Sequence, residues 1–249
     1  KIYSRLIKMK INELKQDLAA AFRWTAKLNM NEGIANHFSV CLPNSNDFYV
    51  NGSGLHFSSI KASDMVLVEQ DKIEEIKDKP ELVDPTALNI HGTIHKKVPH
   101  ARCILHVHSK YATALSTLKD PTLKPIDQNT MRFYNRVAIY NDFGGLGFEE
   151  ESNKMASAIG NNHSMLLANH GILTVGQTVA EAFDELYYFE KACETYITAL
   201  STNQKLNIVS SKVAEKTAQE WENYPVNMGQ QHLNEIKKIL DKEEPNYKK

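Results

Sequence analysis

The sequence predicts an α/β protein, a three-layer α/β/α sandwich around a central mixed, mainly antiparallel sheet. Three observations carry this. Short β-type apolar runs alternate with longer segments of helical periodicity. Many of the links between runs are short, as antiparallel neighbours require. The 249 residues contain no internal repeat and no low-complexity linker, so one domain over residues 1–249 fits better than two.

Each element follows from local chemistry. Ile11, Leu14, Leu18, Phe22, Thr25 and Leu28 fall at helical spacing and predict an amphipathic opening helix over 11–28. The turn residues Asn29 to Gly33 end it. His37 to Leu42 and Phe48 to Asn51 read as strands across the turn Pro43-Asn44-Ser45-Asn46. Met65 to Glu69 is a third strand, with Asp71-Lys72 as a tight turn into a further short run, Ile73 to Ile76. Asp84-Pro85-Thr86 starts a helix that runs to about Lys97, proline being suited to a first turn. Cys103 to His108 is an apolar strand, followed by a helix over 109–118 and a loop over 121–127. Arg136 to Tyr140 is a strand, Gly144 to Gly147 a flexible turn, and Ser152 to Ile159 a helix. Ser164 to Ala168 and Ile172 to Val175 form a hairpin across Asn169-His170-Gly171. The longest helix is expected over 178–201, with Ala182, Leu186, Phe189 and Cys193 on one face. The core thus spans about 11–202. One further helix, about 230–240, and a charged tail from Asp241 occupy 203–249.

Composition excludes several classes. Hydrophobic residues at 42% and charged residues at 24% are a globular balance. With 29 Lys+Arg against 30 Asp+Glu, the net charge of −1 argues against a nucleic-acid binder, which shows a basic excess. The longest apolar run, Leu18 to Phe22, is far below the ~18 residues of a membrane helix. Residues 1–10 are basic, but 11–20 are interrupted by polar residues, so no leader peptide is expected. Cys41, Cys103 and Cys193 are widely spaced and read as free thiols in a reducing cytoplasm.

Chemistry is concentrated in the histidines: five of the ten fall between His91 and His108. His106-Val107-His108 lies in a strand, where side chains alternate, so the two imidazoles share a face. Neutral imidazoles are zinc ligands at ~2.0–2.1 Å. Ten histidines give roughly 0.4 such pairs per chain by chance, so two partly exposed strand histidines are the plain alternative. His170 follows a buried run at a strand end, where ligands and catalytic groups gather. With it, three histidines would leave an open coordination position, as in a catalytic site. His91 and His95 form an i,i+4 pair on one helix face but lack the glutamate of the zinc protease motif. Val50-Asn51-Gly52-Ser53-Gly54 is a glycine-rich turn whose backbone N–H groups, at Ser53 and Gly54, suit an anion.

Taken in order, these segments resemble the class II aldolase and adducin head-domain family. The matching stretches are Asn36-His37-Phe38-Ser39-Val40, Asn51-Gly52-Ser53-Gly54-Leu55, Ser63 to Val68, His106-Val107-His108, and Asn169 to Gly176. The resemblance implies a three-layer α/β/α fold, a cyclic homotetramer, and a divalent metal near a subunit boundary. His106, His108 and His170 would match the metal ligands. Zinc is favoured, with manganese, cobalt or iron as alternatives, and Asn36 and His37 fall near the substrate-contacting asparagine. The family's enzymes cleave carbon–carbon bonds, epimerise sugar phosphates or decarboxylate; adducin heads are non-catalytic. One departure matters. Counting back by the family's spacing from the His-x-His strand, the catalytic carboxylate falls on Ala87, and the phosphate-binding serines before it on Pro85 and Thr86. His91, one turn on, is the candidate replacement, with Asp84 just before the helix as the alternative. Tyr134, or alternatively Tyr140, is the candidate for a tyrosine that a neighbouring subunit supplies.

The leading expectation is therefore a metal-dependent lyase acting on a small, non-phosphorylated hydroxy or oxo acid or sugar. An adducin-like assembly module and a three-histidine iron oxygenase are the alternatives. Nucleic-acid and membrane partners are not expected.

Overall fold

The apolar spacing of the opening helix continues upstream of residue 11. In a computed structural model that describes residues 2–142 and 144–249, α1 runs over Ile2–Lys27. Lys1, the first of the basic stretch, lies outside the described residues. Leu18, Ala19, Ala20, Ala21 and Phe22 are all fully buried, so over these five residues the helix is enclosed on every side. Three strands follow: β1 (His37–Cys41), β2 (Phe48–Asn51) and β3 (Met65–Val68). Then come α2 (Ile73–Lys77) and α3 (Pro85–Lys97). The central part is β4 (Cys103–Val107), α4 (Lys110–Ser116), α5 (Gln128–Arg132), β5 (Val137–Tyr140) and α6 (Glu149–Ala158). The hairpin β6 (Ser164–Leu167) and β7 (Gly171–Gly176) leads into α7 (Val179–Ser201), α8 (Ser211–Glu222) and α9 (Met228–Glu243).

The strands form one sheet in the order β3-β2-β1-β4-β7-β6-β5. Every neighbouring pair is antiparallel except β5–β6, which gives the mixed, mainly antiparallel sheet that the short links predict. Strand alternation divides two cores. Phe38, Leu105, Val107, Leu166 and Ile172 join α1, α4, α7 and α9 on one face. Ile104, Met165, Leu167, Leu173 and Val175 meet α3 and α6 on the other. Cys41, Phe48 and Val50 extend that second face toward α2.

Several sequence expectations are corrected. Ile73 to Ile76 is helical, not a strand-like run. Glu74 and Glu75 sit in its first turn and Lys77 in its last, matching the helix dipole. The longest helix is α1 at 26 residues, not α7 at 23. Two helices were not anticipated. The first, α5, is a single turn closed by a capping box between Asp127 and Thr130. The second, α8, buries only Ala214 and Ala218, a weak apolar signal. The C-terminal tail is not a solvated charge run. Tyr247 is fully buried and donates to Asp241 at 2.9 Å, while Ser63 N–H donates to the Lys249 carbonyl at 2.7 Å. Leu233, Ile236 and Leu240 of α9 belong to the main core. Among the described residues no helix is long and apolar enough to cross a membrane.

Candidate metal centre

β4 and the β6–β7 turn meet at one end of the sheet. Alternation on β4 buries Cys103, Leu105 and Val107 in the α1–α7 face and turns Ile104 and His106 to the α3 face. His108 stands just past the strand end. Asn169 adopts a left-handed conformation (φ 58°) that closes the β6–β7 hairpin and delivers His170. Gly171 is required beside it, because a Cβ there would lie 2.5 Å from the Val107 carbonyl.

The result is a cluster of His106, His108 and His170 whose ligand nitrogens all lie within 4.8 Å of one another. The ring centroids are 4.7–4.9 Å apart. His106 Nδ1 donates to the Ile172 carbonyl at 2.9 Å. His108 Nδ1 is bound by the Glu32 carboxylate. Both outer nitrogens therefore carry protons, and in the neutral rings both Nε2 atoms present lone pairs. Those two atoms are 3.1 Å apart. Lone pairs at that distance repel unless a cation lies between them, and two nitrogens on a tetrahedral zinc ion stand about 3.3 Å apart. The donor set fits a divalent metal. Burial, together with the neighbouring rings, holds His106 well below the usual histidine range, and His170 is lowered to about 4. Neutral imidazole is the ligating form.

The Glu32–His108 pair is the outer support that ligating histidines usually carry, and its loss should weaken metal binding 10–100-fold. We expect Glu32→Gln to raise the zinc dissociation constant by about that factor in competition with a chromophoric chelator. Unchanged affinity would show that Glu32 does not orient His108.

Behind the cluster lies a second set of histidines. His37 pairs with His106 across β1–β4, their rings 5.0 Å apart. His37 Nδ1 meets His91 Nε2 at 2.7 Å. His91 Nδ1 meets the Ser39 hydroxyl, which also contacts His95 Nε2 at 2.7 Å. His95 Nδ1 donates to the Ala101 carbonyl at 2.6 Å. Desolvation lowers His37 to about 4 and His95 to about 3, and holds His91 well below the ordinary range. So His91 reaches the metal cluster only through His37. It stands one turn after Ala87, which is buried.

The remaining candidates are placed as follows. Asn36 is buried; its Oδ1 accepts from Glu32 N–H at 2.8 Å, and among the described residues its Nδ2 has no partner. The backbone N–H groups of Gly52 and Ser53 donate to the carbonyls of Asp64 and Leu82, so these two are not available to an anion. Gly54 is held at φ 74°. Asp84 caps α3, accepting from the N–H groups of Thr86 and Ala87. Tyr134 precedes the start of β5, whereas His170 follows the end of the parallel strand β6. Within one chain the two are at opposite ends of the sheet. Ser39 and the linkage of His37 to His91 escape a sequence reading, since only the packing of α3 on β1 reveals them.

Comparison with known proteins finds likenesses over most of the chain. The family model described as the Class II Aldolase and Adducin N-terminal domain matches residues 16–197. An aldolase II superfamily protein from Pseudomonas syringae superposes with a TM-score of 0.83 at 30% identity, covering 96% of each chain. An L-fuculose 1-phosphate aldolase from Glaciozyma antarctica PI12 gives 0.83 at 28% identity, covering 98% of this chain and 94% of its own. Decarboxylase NovR from Streptomyces niveus is 29% identical over 189 residues, 75% of this chain and 69% of that protein.

Proposed function

The chain belongs to the class II aldolase and adducin N-terminal domain family, and on that premise we propose that it is a metal-dependent carbon–carbon lyase. Its substrate is a small, non-phosphorylated hydroxy or oxo acid or sugar. The observation that carries this reading is the cluster of His106, His108 and His170, with two outer nitrogens already held by Ile172 and Glu32. These three residues would hold the ion, with zinc favoured over manganese, cobalt or iron. A divalent metal there supplies Lewis acidity toward a substrate carbonyl or carboxylate.

The chain's own residues do the rest. Asn36 offers a buried N–H donor, without a partner among the described residues, that can bind and orient a substrate oxygen. His37 lines the cluster through its contact with His106. Ala87 has no proton to give or take. Decarboxylation asks less of a side-chain base than aldol cleavage does, because the electron pair freed as CO₂ leaves needs withdrawal more than proton abstraction. That favours decarboxylation, an activity also named for the Streptomyces niveus relative. Pro85 and Thr86 lack the paired hydroxyls that would bind a phosphate. Each lost charge-assisted hydrogen bond removes about 1.5–3 kcal/mol. Ala87 also suits an adducin-like module, but such a module has no use for three convergent imidazoles. Reaction within a homotetramer is part of the proposal, with Tyr134 reaching a neighbour's site.

The test is a panel that pairs phosphorylated with unphosphorylated hydroxy acids, oxo acids and sugars, scored for released CO₂ or aldehyde. Turnover of an unphosphorylated member, abolished by chelation and restored by zinc, is expected. Turnover confined to phosphorylated members, or untouched by chelation, would contradict the reading.

A further inference from the structure

We propose that His95, Ser39 and His91 form a one-way chain of hydrogen bonds that fixes His37 with an unprotonated Nε2. His37 is thereby the specificity-determining residue that accepts a hydrogen bond from a substrate hydroxyl. The hydroxyl assignment rests on the lyase reading above; the direction of the chain does not.

The direction follows from one end. The Ala101 carbonyl can only accept, so His95 carries its proton on Nδ1, 2.6 Å away. A neutral His95 then has only a lone pair on Nε2. The Ser39 hydroxyl, 2.7 Å from that lone pair, must spend its single proton there. Ser39 Oγ is left as an acceptor, so His91 donates to it from Nδ1. His91 Nε2 is therefore a lone pair, and His37 donates to it from Nδ1 across 2.7 Å. The remaining nitrogen of His37 is an acceptor, and among the described residues nothing donates to it. Reversing the chain would move the His95 proton to Nε2 and set two lone pairs against each other at 2.6 Å. His91 and His95 are fully or almost fully buried, which keeps both rings neutral. The Asp84 carboxylate spends its hydrogen bonds on the N-terminus of α3 and acts on His37 only through its charge.

The consequence is selective. The ring of His37 lies 5.0 Å from that of His106, so the ring that carries the acceptor nitrogen is a direct neighbour of the metal cluster. It rewards a ligand that brings an O–H and gives nothing to a carbonyl in that place, whose own lone pairs face it. His91, Ser39 and His95 act through His37 and are positioning residues.

The experiment begins with the metal-free protein. Long-range ¹H–¹⁵N correlation spectra of histidine-labelled protein report which ring nitrogen carries each proton. His37, His91 and His95 are expected in the Nδ1–H form, the opposite of the form free imidazole side chains favour. His37 in the Nε2–H form would overturn the proposal, and this needs no variant. His95→Phe keeps a ring packed on Phe48 but removes the acceptor. The Ser39 hydroxyl should then turn to His91 and reverse the chain, giving His37 as Nε2–H. An unchanged His37 in folded His95→Phe would overturn the directing role. In zinc-loaded wild-type protein, lactate should bind about tenfold or more tightly than pyruvate. Lactate binding no tighter than pyruvate, or not at all, would overturn the hydroxyl assignment. Failure to retain zinc would sink the lyase reading and leave the proton positions to be judged by the spectra.

Discussion

Acidifying the metal-free protein in the presence of EDTA will unfold it cooperatively with a midpoint above pH 4. His95 is buried and lowered from 6.5 to about 3 by desolvation, with Arg102 adding repulsion. Its folded pKa lies below its unfolded value, so the unfolded chain binds the proton more readily as pH falls. The stability tied to His95 is fully present above about pH 6.5 and is lost as pH drops toward 3. At 1.36 kcal/mol per pH unit that single group accounts for about 5 kcal/mol. His37, lowered to about 4, and His91, held well below the ordinary range by burial, act in the same direction as pH falls. A domain is typically stable by only about 5–15 kcal/mol. Three buried imidazoles that must charge on unfolding are enough to consume it. Far-UV circular dichroism from pH 7.5 to 3 measures the transition; a chain still folded at pH 3 would show that these rings are not buried and neutral.

Removing a ligand should have the other large effect. We expect His106→Ala, His108→Ala and His170→Ala each to lower zinc affinity by more than about 10²-fold, beyond the loss from any supporting residue, because affinity depends on ligand number and geometry. His91→Ala and His95→Phe should retain zinc, since neither ring joins the cluster. The three ligand variants should keep the circular dichroism of the parent, because His106 and its partners lie at the sheet end, outside the apolar clusters. Elemental analysis after dialysis against buffered zinc checks this. Full occupancy in His170→Ala would break the three-histidine site.

The layered fold was legible because strand and helix periods were strong where both faces are buried, as in Cys103–Val107 and Val179–Ser201. Asp84-Pro85 marked the start of α3 to the residue, because an N-cap and a first-turn proline are local chemistry. Elements whose stability comes from tertiary contacts were less legible. The α8 helix buries alanines rather than large apolar residues, and the tail reads as charge although Tyr247 anchors it. In the site, His106, His108 and His170 could be picked out by spacing and order. The Glu32 carboxylate, 76 residues from His108, could not. Nor could the alignment of His37, Ser39, His91 and His95, which exists only because α3 packs its His91 and His95 against β1. Hydrogen-bond direction is a property of the assembled set, not of any one residue.

The proposed chemistry requires that these three histidines hold a metal together. An anomalous difference map from crystals of the wild-type protein soaked in zinc decides it. We expect one strong peak per chain about 2.0–2.1 Å from one ring nitrogen each of His106, His108 and His170, with the Nδ1 atoms of His106 and His108 still on Ile172 and Glu32. A map without a peak there, or with zinc bound only at other residues, would contradict it.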